Sequence, residues 1–299
     1  VLKHYWHIGF AADTPNGLMV PVIRDVERKS IPEIAREMGE LAKLARDYIG
    51  ARGFGIYYLR REVDPACDPL EPENKIVMAA GPLTGTAAPT GARYVVTTKS
   101  PLTGAITCSN SGGNFPAELK KSGHDAIIIE GRSATPVYLW IDGDRAELRP
   151  AGHLWGKTTH ETDDALRGET HAKAKTAVIG PAGEKQVLFA AIMNDRDRAA
   201  GRAGVGAVMG AKNIKAIVLD DSGTTMRMPK DLEKFREANK KWVEGLKKHP
   251  VTGQGLPTYG TNVLTNILNE VGGYPTYNFK QGRFDGIAKI SGETQAETE

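Results

Sequence analysis

The sequence predicts an α+β protein: a β-rich region running to about Ser222, then the start of a helical domain. Two patterns carry that expectation. Short β-branched or apolar runs are separated by glycine and proline turns, and two longer stretches place their apolar residues at helical spacing. A third observation is fainter. A strand-like run ending in Gly81-Pro82-Leu83-Thr84-Gly85 is echoed by one ending in Gly180-Pro181-Ala182-Gly183, and loops of small and polar residues follow at 109–113 and 198–206. A duplicated unit would leave such an echo, and so would two unrelated Gly-Pro turns.

In chain order, residues 6–12 and 18–23 read as strands around Thr14-Pro15-Asn16-Gly17, where proline presets one turn dihedral and Asn-Gly tolerates positive φ. A helix over 31–46 follows, opened by the capping pair Ser30 and Glu33 and carrying Ile34, Met38, Leu41 and Ala45 on one face. Residues 75–80, 94–98, 126–130, 137–141 and 216–219 read as strands. Helices are expected over 158–167 and over 231–248, the latter with Leu232, Phe235, Trp242 and Leu246 on one face.

Composition narrows the function. A chain of 299 residues, 40% hydrophobic and 25% charged, can bury a substantial core and is expected to form two domains. The net charge of +3 is small and its lysines and arginines are scattered, so nucleic acid is not an expected partner. No apolar run approaches the roughly 18 residues of a membrane span, and no signal peptide opens the chain; neither membrane nor export is expected, which leaves the cytoplasm. Two cysteines, Cys67 and Cys108, lie far apart without a Cys-x-x-Cys, giving neither a disulfide framework nor a zinc site. His4, His7, His124, His153 and His160 lack ligand spacing and are read as packing or surface residues. The run Gly201-Arg202-Ala203-Gly204-Val205-Gly206 departs from the dinucleotide fingerprint and follows a polar stretch instead of a strand.

Two family resemblances divide the chain. The stretch HYWHIGFAADTPNGLMVPVIRDVERKSIPEIAREMGELAKLARD resembles part of the catalytic domain of dihydrolipoamide acetyltransferases, but the H-R-x-x-D-G motif that serves acyl transfer in that family has no counterpart here. Residues 1–47 are therefore read as a β-hairpin plus helix fragment, expected to pack loosely against the rest. From Tyr48 the motifs YIGARGFGIYYLRREVDP, MAAGPLTGTAAPTGARYVVTTKSPLTGAITCSNSGG, HDAIIIEGRS, HLWGK, IGPAGE, AAIMNDRDRAAGRAGVGAVMGAKNIKAI and GLPTYGTNVLTNILNEVGGYPTYNF follow in order. Their order and spacing resemble the aldehyde:ferredoxin oxidoreductases. The resemblance implies a duplicated β-rich pterin-binding domain at 48–222, followed by the start of a helical second domain at 223–299.

It further implies the cofactor-binding part of a tungsten- or molybdenum-pterin oxidoreductase that converts aldehydes to carboxylic acids. Electrons would pass through a 4Fe-4S cluster to ferredoxin or an electron-transfer subunit, in a full-length protein that can be a homodimer. The cluster's cysteines and the proton-transfer groups are expected beyond Glu299, so no catalytic residue is assigned and the chain alone is expected to be inactive. Two phosphate-bearing pterins need backbone donors, arginine forks and a hard cation. By resemblance Arg93 and Arg198 face the pterins, and backbone oxygens of Asn110 and Ala199 hold a bridging magnesium. Gly112, Gly113, Gly201 and Arg202 flank them and let backbone approach phosphate, and Arg52 in G-A-R-G matches a further cofactor-side position. The alternatives are an acyltransferase fragment and a chimeric product acting at most as a non-catalytic binding module.

Overall fold

Hydrogen-bonded ladders organise the first of two units, residues 1–230, and helices the second, 231–299. The structure, a computed structural model, describes residues 8–9, 12–14, 17–19, 22–23, 30–143, 145–220, 226 and 228–298.

The first unit opens with β1 (Ile8–Gly9), β2 (Ala12–Thr14), β3 (Gly17–Met19) and β4 (Val22–Ile23). Thr14 faces Gly17 where β2 pairs antiparallel with β3, and β1 pairs antiparallel with β4, so the strands flanking the expected turn are paired. His4, Trp6, His7, Pro15 and Asn16 lie outside the described residues. Helix α1 (Ile31–Tyr48) starts where expected: the Glu33 carboxylate accepts the Ser30 N–H and hydroxyl, each at 2.8 Å. The side chains of Ile34, Met38 and Leu41 lie outside the described residues, but Leu44 and Ala45 are buried against Phe54, Val77 and Ala79. The end of this helix is thus part of a core, contrary to the expectation of loose packing over 1–47.

Helix α2 (Arg52–Glu62), which sequence patterning did not bring out, leads to β5 (Ile76–Ala80), β6 (Tyr94–Lys99), β7 (Ile106–Ser111), α3 (Phe115–Lys121) and β8 (Ala126–Ile129). These strands form an antiparallel sheet ordered β7-β6-β5-β8. Next come β9 (Val137–Asp142), β10 (Arg145–Pro150), α4 (Thr159–Glu169), β11 (Lys175–Val178), α5 (Pro181–Glu184), β12 (Ile192–Asn194), β13 (Arg198–Ala200), α6 (Val205–Ala211) and β14 (Ile214–Asp220). Their sheet is ordered β10-β9-β14-β11-β12-β13, with β14 and β9 parallel and every other pair antiparallel.

Helices α3 and α6 each contact both sheets, and a single core including Met78, Tyr94, Phe115, Met209 and Ile217 fills the space around them. The opposite face of the four-stranded sheet is covered by α1 and α2, and that of the six-stranded sheet by α4 through Leu166, Trp140 and Val218. Strands β5 and β14 are buried at every residue; β5 is accordingly written as an unbroken apolar run, and β14 as the apolar run 216–219 between a buried Lys215 and Asp220.

The Gly-Pro echo is a duplication. Strands β5, β6, β7, helix α3 and β8 repeat as β11, β12, β13, α6 and β14, with the same strand order in each sheet. Placing Gly180 on Gly81 puts Val178 on Ala79, whose partners are Met193 and Val95 respectively. Those residues in turn face Ala199 and Asn110, while Val178 and Ala79 face Ala216 and Ala126 on their other side. One superposition therefore satisfies all four strands without a shift.

A buried lysine ties the halves together. Lys212, just after α6, is 1% exposed and donates to the carbonyls of Pro72 (3.1 Å), Asn74 (2.5 Å) and Gly131 (2.8 Å) in the first repeat. Burial pushes its ammonium down to about 8, so those three acceptors are what keep the charge tolerable inside the fold.

The second unit is helical, as expected: α7 (Leu232–Lys248), α8 (Leu256–Tyr259) and α9 (Thr265–Glu270), joined by single turns of other helix types, and then, after a longer connection over 271–291, α10 (Gly292–Thr298). Asp231 caps α7 by accepting the Lys234 N–H at 2.9 Å. Leu232, Phe235 and Leu246 on its apolar stripe are half-buried, and Trp242 is exposed. Among the described residues no helix is long and apolar enough to cross a membrane.

Candidate cofactor-binding site

Strands β7 and β13 are the outer edges of the two sheets and run beside each other. An edge strand leaves half of its main-chain groups without a ladder partner, so two neighbouring edges present carbonyls and N–H groups to a ligand. Asn110 and Ala199 stand on these strands at equivalent positions of the two repeats, and both are exposed. The same superposition carries Gly112 onto Gly201, where each edge strand ends.

The remaining candidates surround this pair. Arg93 immediately precedes Tyr94, which faces Ser111 across the ladder, and a Cβ on Gly112 would stand 3.4 Å from the Ala92 carbonyl. Arg198 opens β13, and its Cγ would lie 3.2 Å from a Cβ on Gly113. Arg52 begins α2 at the same end of the four-stranded sheet, because the Ala51 N–H donates to the Ala80 carbonyl at 3.1 Å. Arg52, Arg93, Arg198 and Arg202 are all exposed. The structure departs from the sequence expectation at Arg202 in one respect: its N–H donates to the Ser109 hydroxyl at 3.1 Å and is committed to the other repeat.

Sequence reasoning overlooked the residues that lock the two repeats together here. Asn194 donates to the Gly112 carbonyl at 2.8 Å and accepts the Ser111 hydroxyl at 2.6 Å and the Tyr94 hydroxyl at 3.3 Å. Asp195 accepts the Asn114 and Phe115 N–H groups at 2.5 and 3.0 Å, capping α3 from the opposite repeat. Complete burial, and then the Asp195 charge, push the Tyr94 phenol far up, so it stays a neutral donor. On the other side, the Arg196 guanidinium pairs with Asp164 at 2.5 Å and lies 3.6 Å from Asp163, while the His160 imidazole contacts the Arg196 carbonyl at 3.2 Å. The N-D-R-D run in the sequence was the available signal.

The donor set fits an anionic group bridged by a hard cation: exposed guanidinium forks, main-chain carbonyls on two adjacent edge strands, and a glycine, Gly113, where a Cβ would stand 2.2 Å from Asp195 Oδ2. Among the described residues no three of His, Cys, Asp and Glu come together as metal ligands, and Cys67 and Cys108 are free thiols.

Comparison with known proteins decides the lineage. The family described as "Aldehyde ferredoxin oxidoreductase, N-terminal domain" matches residues 33–221, and "Aldehyde ferredoxin oxidoreductase, domains 2 & 3" matches residues 237–299. The chain belongs to the aldehyde ferredoxin oxidoreductase family. It is 55% identical over 255 residues to a tungsten-containing aldehyde ferredoxin oxidoreductase of Pyrococcus abyssi, an alignment covering 85% of this chain and 42% of that protein. The chain thus spans under half the length of this family relative.

In solved structures, the active site complex BamBC of benzoyl coenzyme A reductase superposes with a TM-score of 0.69 at 29% identity, covering 93% of this chain and 42% of that one. Residues 1–49 match "2-oxoacid dehydrogenases acyltransferase (catalytic domain)", overlapping the start of the family's own N-terminal domain. Over 47 residues the chain is 70% identical to a dihydrolipoyllysine-residue acetyltransferase of Cupriavidus necator, covering 16% of this chain and 8% of that protein.

Proposed function

We propose that residues 48–222 hold a tungsten-pterin for the oxidation of aldehydes to carboxylic acids, that residues 223–299 begin the helical domain behind them, and that residues 1–47 are an appended acetyltransferase-like fragment. The observation that carries this reading is the equivalence of Asn110 and Ala199 on adjacent edge strands of a duplicated cradle. Two like carbonyls from two like repeats suit a hard cation shared between two like anions, and magnesium is the cation we name.

Arg93 and Arg198, supported by Arg202 and Arg52, neutralise the phosphates with planar forks that match two oxygens at a time. Gly112, Gly113 and Gly201 keep side chains out of the space the phosphates need. When bound, the metal-pterin supplies the two-electron redox chemistry; the residues of this chain bind, orient and neutralise. Tungsten is preferred to molybdenum because the relative's name states it. The same reading includes an aldehyde substrate, a 4Fe-4S cluster held elsewhere in the whole protein, ferredoxin or an electron-transfer subunit as acceptor, a cytoplasmic setting and a homodimeric full-length form.

The test is metal and pterin content per protein after gel filtration of the whole, loaded protein. Arg198→Ala is expected to weaken retention on the order of ten- to a hundredfold, the equivalent of losing a charge-assisted hydrogen bond. Arg198→Lys is expected to recover part of it, because a point charge cannot supply two parallel donors. Asn110→Ala is expected to be mild, since the main-chain oxygen survives. Unchanged content in Arg198→Ala, or a heavier loss in Asn110→Ala, overturns the assignment.

A further inference from the structure

Two side chains of the second repeat grip four residues of the five-residue stretch 111–115 of the first. Asn194 holds the Ser111 hydroxyl and the Gly112 carbonyl; Asp195 holds the N–H groups of Asn114 and Phe115, at 2.5 and 3.0 Å. Between them Gly113 has φ +98°, and a Cβ there would stand 2.2 Å from Asp195 Oδ2. The Asn194 amide also donates to that same oxygen at 3.0 Å, so one carboxylate oxygen collects three donors. Beyond the grip, Asp195 and Arg196 are both left-handed, at φ 48° and 68°, and Arg196 is anchored to Asp163 and Asp164 on α4. The loop is clamped from two sides immediately before Arg198 and Ala199.

We propose that Asp195 is a positioning residue for anion binding: by capping α3 across the repeat boundary it sets where the Arg198–Ala199 edge stands relative to the Asn110–Gly113 edge. The inference rests on the anion-holding reading above and deepens it. It makes a prediction opposite in sign to simple electrostatics. A carboxylate beside an anion site repels the anion, so its removal taken as a charge change alone would tighten binding. Removal of a strut would weaken binding, because the two edges would no longer present their carbonyls and guanidinium groups to one ligand.

The experiment titrates the 299-residue chain with magnesium pyrophosphate by calorimetry. Asp195→Ala is expected to bind at least tenfold more weakly than the unaltered chain. Asp195→Asn is expected to fall between them, since its amide oxygen can still accept the N–H groups without the charge. Leu154→Ala, a destabilising core truncation in the cluster of Trp140 and Leu166, which includes no residue of the first repeat, is expected to leave the affinity unchanged. Equal or tighter binding by the folded Asp195 variants overturns the inference, as does an equal loss in Leu154→Ala, which would mark a general effect of stability. Where the alanine variant does not fold, the asparagine variant decides by the same criterion. An unaltered chain that fails to bind magnesium pyrophosphate strikes down the anion-holding reading itself, and the inference with it; that outcome is distinct from binding that persists without Asp195.

Discussion

Gly113→Ala puts the geometry of the cradle to a quantitative test. The backbone at this residue has φ +98°, outside the conformations an L-residue favours, and the strain of alanine there is about 1–2 kcal/mol. The new Cβ would also meet Asp195 Oδ2 at 2.2 Å and Arg198 Cγ at 3.2 Å. The arginine stem can swing into solvent, but the carboxylate is fixed by the Asn114 and Phe115 N–H groups. Displacing it forfeits charge-assisted hydrogen bonds with a net contribution of about 1.5–3 kcal/mol, so the expected loss is about 2.5–5 kcal/mol in total. Urea unfolding reads this as a lower midpoint at unchanged slope. Gly112→Ala is the internal comparison: its Cβ would make an ordinary contact 3.4 Å from the Ala92 carbonyl, and a loss under about 1 kcal/mol is expected. A Gly113→Ala loss as small as that of Gly112→Ala refutes the geometry.

Three further outcomes follow from buried or strained groups. Lys212→Met strips the Pro72, Asn74 and Gly131 carbonyls of their shared donor and is expected to destabilise by about 3 kcal/mol at pH 7; a urea midpoint within error of the unaltered chain would contradict it. Because burial lowers the Lys212 ammonium from 10.5 to about 8, the unfolded chain binds more protons at this site between those values. Its contribution to stability is therefore present above 10.5 and lost as pH falls through 8, so the unaltered chain should gain on Lys212→Met between pH 8 and 10; a constant gap between their unfolding midpoints would rule this out. Ala51→Gly relieves a residue at φ 45°, ψ −118°, a combination suited to glycine, and is expected to stabilise by about 1 kcal/mol in thermal unfolding, where a lower melting temperature would count against the strain.

Legibility in the sequence followed how local the cause was. Strand β5 and residues 216–219 of β14 were visible because burial on both faces writes an apolar run, and α1 and α7 because their apolar residues recur at a 3.6-residue period. Helix α6 was not visible. It is buried at every residue, so it has no polar face to alternate with, and it is only 7 residues long. Helix α2 was hidden by its two glycines, which read as breakers; a Cβ on Gly55 would stand 2.1 Å from Thr97 Oγ1, so the glycine serves close packing of helix on strand. Strands β12 and β13, 3 residues each, are too short to carry a pattern.

The site divides along the same line. Its arginines and glycines were named from local motifs, because phosphate recognition demands particular residue types in a particular order. Asn194 and Asp195 were not named, since their partners lie 80 to 83 positions away for the bonds from Ser111, Gly112, Asn114 and Phe115. The duplication shows why. What two repeats must share to place Asn110 and Ala199 alike is a ladder register, and register depends on pairing, which tolerates almost any side chain that suits a strand. The Gly-Pro turns survive as an echo because a turn does constrain residue type. The contacts that join the repeats are made differently from each side, an Asn-Asp pair from one and the Ser109 hydroxyl from the other, so they leave no echo at all. A duplicated cradle with asymmetric locks reads as faint symmetry in sequence and as complete symmetry in strand order.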